Sequence, residues 1–163
     1  MQTFKPGSEA GEVLQKWWEG LKNNKGDRAA LRRCGEVAEV PFVPVFHDLY
    51  IRLRQHGLSN APHLAAVVGL LAHIENQIPN KSLPAQMASP KKASGNAALS
   101  ELRFRRLLQY QSREELFPAL RRVVQLLDRS ANIYSLANSV YHWNNKVRQE
   151  WAYEYYGALQ NKS

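Results

Sequence analysis

Apolar residues recur at intervals of three and four along residues 101–127, ELRFRRLLQYQSREELFPALRRVVQLL. This spacing predicts helices, because residues three and four apart lie on one face of a helix. Arginines occupy many of the positions between them, and most of these must face solvent or a partner. No acidic residue lies within either arginine group, RFRR or LRR. We therefore expect a region that buries one side and presents positive charge on the other.

The same helical spacing continues along most of the remaining chain. Predicted N-caps precede these runs at Ser8, Asp27, Asn60, Ser112 and Asn132. No stretch shows the alternation that is typical of a half-buried strand. The sequence therefore predicts an all-α protein of seven to nine helices in two packed helical bundles.

Proline and glycine predict where some of these helices break. Pro118 lies inside the run that follows Ser112, which predicts a kink or a restart of that helix. Gly57 and Gly157 are predicted to follow the ends of their helices.

One segment differs from the rest in composition. Residues 79–96, PNKSLPAQMASPKKASGN, contain three prolines and three serines but few large apolar side chains, which predicts a mobile loop. We expect a single domain over residues 1–163, with an N-terminal bundle at about 1–78, a loop at 79–97 and a C-terminal bundle at about 98–163. Lys91 and Lys92 make this loop basic. It is either a solvated linker or a flap that orders on a phosphate backbone.

The charge balance narrows the class of partner. The chain has 163 residues, of which 44% are hydrophobic and 22% charged, an ordinary globular composition. Its 22 lysines and arginines exceed its 14 acidic residues and give a net charge of +8. Such a charge favours polyanions, of which nucleic acid is the commonest in a cell. A basic protein without such a partner is the alternative.

Motifs for catalysis or metal binding are absent from the sequence. Cys34 is the single cysteine, which excludes an intrachain disulfide and favours a buried thiol. His47-Asp48 lacks the earlier histidine of a metal-dependent phosphohydrolase, and His73 with Glu75 lacks the paired cysteines of a zinc deaminase. There is no HExxH, GxxxxGK[ST] or GxSxG motif. We expect no catalytic residue, no metal site and no cofactor.

The sequence also indicates a cytoplasmic protein without a membrane partner. No segment approaches the ~18 apolar residues that a membrane span requires. The stretch MQTFKPGSEAGE lacks the basic and apolar regions of a signal peptide, and a lone cysteine suits a reducing compartment.

Six aromatic side chains are candidates for stacking on unpaired bases. They are Trp17, Trp18, Trp143, Trp151, Tyr155 and Tyr156. Their helical spacing with leucines predicts that most of them are buried in the core instead.

Five motifs occur in a characteristic order. They are WWEGL at 17–21, GDRAALRR at 26–33, RFRRLL at 103–108, LRRVVQLL at 120–127, and two tryptophans followed by paired tyrosines over 143–156. In this order and spacing, the chain resembles the CasB family, the small subunit of the type I-E CRISPR Cascade complex. The resemblance implies a helical protein of two packed bundles that is not an enzyme.

The resemblance further implies binding to nucleic-acid backbone without sequence specificity, which stabilises the R-loop. The implied partners are single-stranded DNA of the displaced strand, the guide RNA–DNA hybrid region, other Cascade subunits and a second copy of the chain, in the cytoplasm of a prokaryote. The candidate nucleic-acid-binding residues are Arg28, Arg32, Arg33, Arg52, Arg103, Arg105, Arg106, Arg121, Arg122 and Arg148. Guanidinium groups suit this role because they match phosphate oxygens and keep their charge.

Two other functions remain compatible with the sequence. A helical adaptor can use the same basic face to bind an acidic protein. A metal-dependent hydrolase would need a bound metal, for which the chain offers few ligands.

Overall fold

The structure is a computed structural model, and it describes residues 3–91 and 95–160. Within these ranges the chain forms nine α-helices. They are α1 (Glu9–Lys22), α2 (Lys25–Arg32), α3 (Pro44–Arg54), α4 (Ala61–Leu71), α5 (Leu83–Ala88), α6 (Glu101–Leu107), α7 (Arg113–Leu126), α8 (Ile133–Tyr141) and α9 (Asn145–Gln160). The predicted all-α class is confirmed.

Three short elements complete the described structure. A 3-10 helix spans Val37–Phe42, and two two-residue strands, β1 (Asn76–Gln77) and β2 (Ser130–Ala131), pair in parallel. Strands of this length leave no periodic signal, so no pattern in the sequence predicts them. Their pairing ties the segment after α4 to the turn after α7.

Four of the five predicted N-caps are confirmed. The side chains of Ser8, Asn60, Ser112 and Asn132 each accept a hydrogen bond from a backbone N–H of the following first turn. The prediction for Asp27 is wrong, because α2 begins three residues earlier and Asn24 is its N-cap. Asn24 Oδ1 accepts from the Asp27 N–H at 3.3 Å, while Asn24 Nδ2 donates to the Asp27 carboxylate at 2.6 Å.

The predicted helix breaks are partly wrong. Helix α7 runs without a restart through Pro118, and α9 continues through Gly157. A proline inside a helix removes one backbone hydrogen bond, but Phe117 and Leu120 on either side of Pro118 are fully buried. Their burial favours the continued helix. Gly57 does adopt a left-handed conformation, with φ of 82°, after α3 has ended.

Helix α4 lies at the centre of the hydrophobic core. Every residue from Leu64 to Leu71 is buried, and α4 packs against α7, α8 and the 3-10 helix. A Cβ atom on Gly69 would lie 2.7 Å from the Phe117 ring. The close approach of α4 and α7 therefore requires glycine at this position. The buried residues before and after residue 79 belong to one continuous cluster.

The mobile loop predicted at 79–97 is wrong for residues 83–88, which form α5. Leu83, Met87 and Ala88 are fully buried, and α5 packs against α9. Ser82 caps α5, and the Leu83 N–H donates to Ser135 Oγ at 2.8 Å. A helix of six residues is too short for a clear periodic pattern among prolines and serines.

Burial of the aromatic side chains confirms their prediction as core residues. Trp17, Trp18, Trp143, Trp151 and Tyr155 are each at most 7% exposed, and Tyr156 is half-buried. All four indole N–H groups donate to protein oxygen atoms. Cys34 is buried as predicted. No helix in the described ranges is long and apolar enough to cross a bilayer.

Candidate nucleic-acid interface

Three of the predicted arginines meet at a cleft between α6 and α7. Arg103 and Arg106 lie three residues apart on one side of α6, and Arg122 faces them from α7. All three side chains are exposed. The cleft has a volume of about 320 Å³ and is further lined by Leu99, Leu107, Tyr110, Ala119, Val123 and Leu126. We call it the α6–α7 cleft. Its lining contains no acidic residue.

One wall of the α6–α7 cleft is held in place by Arg148. The carbonyl oxygen of Tyr110 accepts hydrogen bonds from Trp143 Nε1 at 2.9 Å and from Arg148 Nη1 at 3.2 Å. Arg148 is half-buried and also donates to Asn145 Oδ1. The structure therefore gives this half-buried, predicted binding residue a structural role, because its guanidinium helps to position Tyr110.

A second group of arginines lies where α2, α4 and α7 meet. Its members are Arg28, Arg32 and Arg33 on or just after α2, Arg121 on α7, and Arg129 after α7. We call it the α2–α7 cluster. Arg129 is not among the predicted binding residues, because it lies outside the arginine-rich motifs. No helical pattern indicates that the turn after α7, which carries Arg129, lies near Arg32 of α2.

Arg32 anchors the α2–α7 cluster to the end of α4. Its Nε donates to the Ala72 carbonyl oxygen at 2.7 Å, and its Nη2 lies 3.6 Å from a carboxylate oxygen of Glu75. Burial lowers the pKa of the Arg32 guanidinium, and the charges of Arg129 and Arg28 lower it further. The guanidinium is therefore fixed between the Ala72 carbonyl oxygen and the Glu75 carboxylate.

His73 lies beneath the same cluster and is only 4% exposed. Burial lowers its pKa to about 4, and the nearby charges of Arg121, Arg32 and Arg129 contribute. The imidazole is therefore neutral at pH 7. No sequence pattern shows that His73 lies among arginines, so its sequence context suggests only a metal ligand.

The turn that carries Arg129 has an uncommon backbone conformation. Asp128 and Arg129 adopt φ angles of 56° and 58°, in the left-handed region that costs roughly 1–3 kcal/mol for residues other than glycine. The Arg129 carbonyl oxygen accepts from the N–H groups of Glu75 at 2.8 Å and Asn76 at 3.2 Å. These bonds hold the turn against the end of α4.

Comparison with known proteins identifies the family. The profile of the CRISPR-associated protein Cse2 family matches residues 27–156. This chain belongs to the Cse2 family. The match includes every candidate arginine and confirms the predicted membership of this family, also called CasB. No curated protein matches the chain.

Two solved structures share the fold of this Cse2-family chain. A chain in the crystal structure of Escherichia coli Cascade bound to a PAM-containing double-stranded DNA target superposes with a TM-score of 0.70 at 21% identity, over 94% of this chain and 97% of that one. CasB from Thermus thermophilus superposes with a TM-score of 0.69 at 24% identity, over 92% and 99% of the two chains.

Three of the remaining candidates, Arg52, Arg105 and Lys91, do not line the α6–α7 cleft. Arg52 is exposed on α3, and Arg105 is exposed on α6 without lining the α6–α7 cleft. Lys91 is exposed and lies 3.9 Å from the Asp128 carboxylate. Lys92 falls outside the described residues.

Arg113 has a structural role that its sequence does not reveal. Its guanidinium donates to the carbonyl oxygens of Val140 and Tyr141, both at 2.8 Å, and of Trp143 at 3.4 Å. Val140 and Tyr141 belong to the last turn of α8, where carbonyl oxygens lack N–H donors one turn further along the helix. Arg113 therefore ties α7 to the C-terminal end of α8.

The described ranges contain no group of three or more histidine, cysteine or acidic residues that could hold a metal ion. Burial raises the pKa of the Cys34 thiol; Glu39 adds to this effect, while Arg121 and Arg33 oppose it. The α6–α7 cleft and the α2–α7 cluster of this Cse2-family chain therefore present fixed positive charge.

Proposed function

We propose that this chain is the small subunit of a type I-E CRISPR Cascade complex and binds nucleic-acid backbone there without sequence specificity. In this role it contacts the displaced DNA strand and the region of the guide–target hybrid, and it stabilises the R-loop. The proposal includes contacts with other Cascade subunits and with a second copy of the chain, a cytoplasmic location and no catalytic step.

The observation that carries the proposal is the α6–α7 cleft. Arg103, Arg106 and Arg122 are exposed around one cleft that no acidic side chain lines. Their charge is therefore not neutralised within the cleft. Arginine donors match the geometry of phosphate oxygens and remain protonated at any physiological pH.

The α2–α7 cluster supports the same function from a neighbouring face. Arg121 and Arg122 are adjacent on α7, so their side chains diverge by about 100° around the helix axis. Arg121 lies close enough to His73 to help lower its pKa, and Arg122 lines the α6–α7 cleft. A nucleic-acid strand that crosses α7 can therefore contact both groups of arginines.

Backbone binding of this kind is sufficient to affect an R-loop. The RNA–DNA hybrid that forms is about as stable as the DNA duplex that it replaces, so modest protein contacts shift the balance. Contacts to phosphates hold a strand irrespective of its sequence. A subunit that serves many different targets needs this property.

The test compares two triple variants in electrophoretic mobility shift of single-stranded DNA at low salt. Arg103→Gln, Arg106→Gln and Arg122→Gln together remove the charge of the cleft. We expect their combination to weaken binding at least about tenfold, because three phosphate contacts are lost.

The matched control changes Lys5, Lys16 and Lys146 to glutamine, three exposed lysines outside both arginine groups. It lowers the net charge equally and should change affinity much less. Equal losses of affinity for single-stranded DNA in the two variants would show that binding depends only on net charge and not on the cleft. Tighter binding of polyglutamate than of DNA would instead favour the acidic-protein adaptor.

A further inference from the structure

We propose that the α6–α7 cleft takes up one unstacked nucleobase, while Arg103, Arg106 and Arg122 hold the phosphates on either side of it. This inference rests on the proposed function, since it names the part of the nucleic acid that the same site binds. It adds a pocket for a base to a protein expected to touch only the backbone.

The lining of the cleft differs from that of a surface that binds only phosphate. Besides the three arginines, it consists of leucine, valine and alanine side chains and Tyr110. Phosphates are strongly hydrated and gain nothing from such walls. A planar base gains from apolar and aromatic walls, because burial removes its faces from water.

The size of the cleft also suits one base. Its volume of about 320 Å³ lies at the lower end of the range for small-molecule pockets, about 300–1,000 Å³. It can therefore hold one ring system but not several stacked bases.

The sequence spacing places the charges at the edge and the apolar groups at the base of the cleft. Leu107 and Val123 are each 4% exposed, so they form the floor. The three arginines are exposed at the rim. A nucleotide has the same division, with an apolar ring at one end and a charged phosphate at the other. Guanidinium planes can also stack on the base itself.

The cleft is preformed, which lowers the cost of binding. The hydrogen bonds from Trp143 and Arg148 to the Tyr110 carbonyl oxygen fix the chain at one end. At the other end, the Leu99 carbonyl oxygen accepts from the buried Tyr155 hydroxyl at 2.7 Å. An acidic protein side chain would meet the arginines but would leave the apolar floor unfilled.

The test is a titration of the ¹⁵N-labelled chain with single-stranded DNA, followed by amide NMR shifts. One oligonucleotide carries normal bases, and the other has the same length but contains only abasic residues, so the phosphates are identical. We expect the normal strand to bind about tenfold tighter, as stacking of one base provides. Both strands should shift amides near the rim arginines, but we expect larger shifts at Leu107, Ala119 and Val123 inside the cleft with the normal strand than with the abasic strand.

Single substitutions in the cleft test whether the preference for normal bases arises there. Ala119→Leu places bulk inside the cleft, and Tyr110→Leu removes the aromatic ring but keeps the backbone carbonyl that Arg148 holds. Either one, with a folded spectrum, should abolish the preference for normal bases and retain binding of the abasic strand. Lys146→Gln, at an exposed site away from the cleft, should retain the preference.

Equal affinity for the two strands would overturn the base pocket and leave the proposed backbone binding intact. No binding of either strand would overturn both proposals. Cleft shifts of the same size with polyglutamate would also overturn the base pocket, because they would show a site for an acidic peptide.

Discussion

The arginines of this chain divide into two kinds that the sequence does not separate. Arg32, Arg113 and Arg148 donate hydrogen bonds to backbone carbonyl oxygens and fix helix ends or cleft walls. Arg103 and Arg122 face solvent, and their side chains make no such bond to any residue within 3–91 and 95–160. Helical periodicity predicts that most of these side chains point outward. It does not show which of them finds a carbonyl oxygen from a distant helix.

His73 makes the stability of the chain depend on pH. Its pKa, about 4 in the folded protein, is lower than the value of about 6.5 in an unfolded chain. Burial of the neutral imidazole therefore contributes its full stabilisation above about pH 6.5, and this contribution is lost as pH falls toward 4. We expect this residue alone to remove roughly 3 kcal/mol of unfolding free energy over that interval.

Urea denaturation at pH 7 and pH 4 measures this effect. In His73→Leu the loss of stability between the two pH values should be smaller than in the unmodified chain by about that amount. An identical pH dependence in both proteins would contradict the buried, neutral state of His73.

At the scale of elements, the sequence predicted long helices well and short or interrupted ones poorly. The caps at Ser8 and Asn132 were predictable because side-chain capping follows local chemistry. The continuation of α7 through Pro118 and the formation of α5 depend on tertiary burial. For the α6–α7 cleft, helical spacing predicts that Arg103 and Arg106 lie side by side on α6. It does not predict that Arg122 of α7 lies opposite them, because that depends on how the two helices pack.

The packing of α5 is testable by one core substitution. Met87 is fully buried, and α5 packs on α9. We expect Met87→Ala to lower the unfolding free energy by about 2–5 kcal/mol, because it leaves a cavity. Chemical denaturation measures this change, with Lys81→Ala on the exposed surface as control. A loss below about 0.5 kcal/mol would indicate that this segment is the loop that its composition suggests.

At the scale of the whole molecule, one rigid helical frame presents two groups of positive charge on either side of α7. The shared core, centred on α4, fixes their relative position. Glu75 accompanies Arg32 in the α2–α7 cluster, whereas no acid lines the α6–α7 cleft. The positive charge of the cleft is therefore less neutralised by nearby acids than that of the α2–α7 cluster. The α6–α7 cleft is the stronger candidate for contact with a polyanion.

The salt dependence of single-stranded DNA binding tests the central claim most directly. If six to ten phosphates are contacted, the logarithm of the association constant should fall with the logarithm of salt concentration with a slope of about −4 to −7. The triple glutamine variant of Arg103, Arg106 and Arg122 should reduce the magnitude of that slope by about 2, because three phosphate contacts disappear. A slope near zero, or a slope that these three substitutions leave unchanged, would contradict the account.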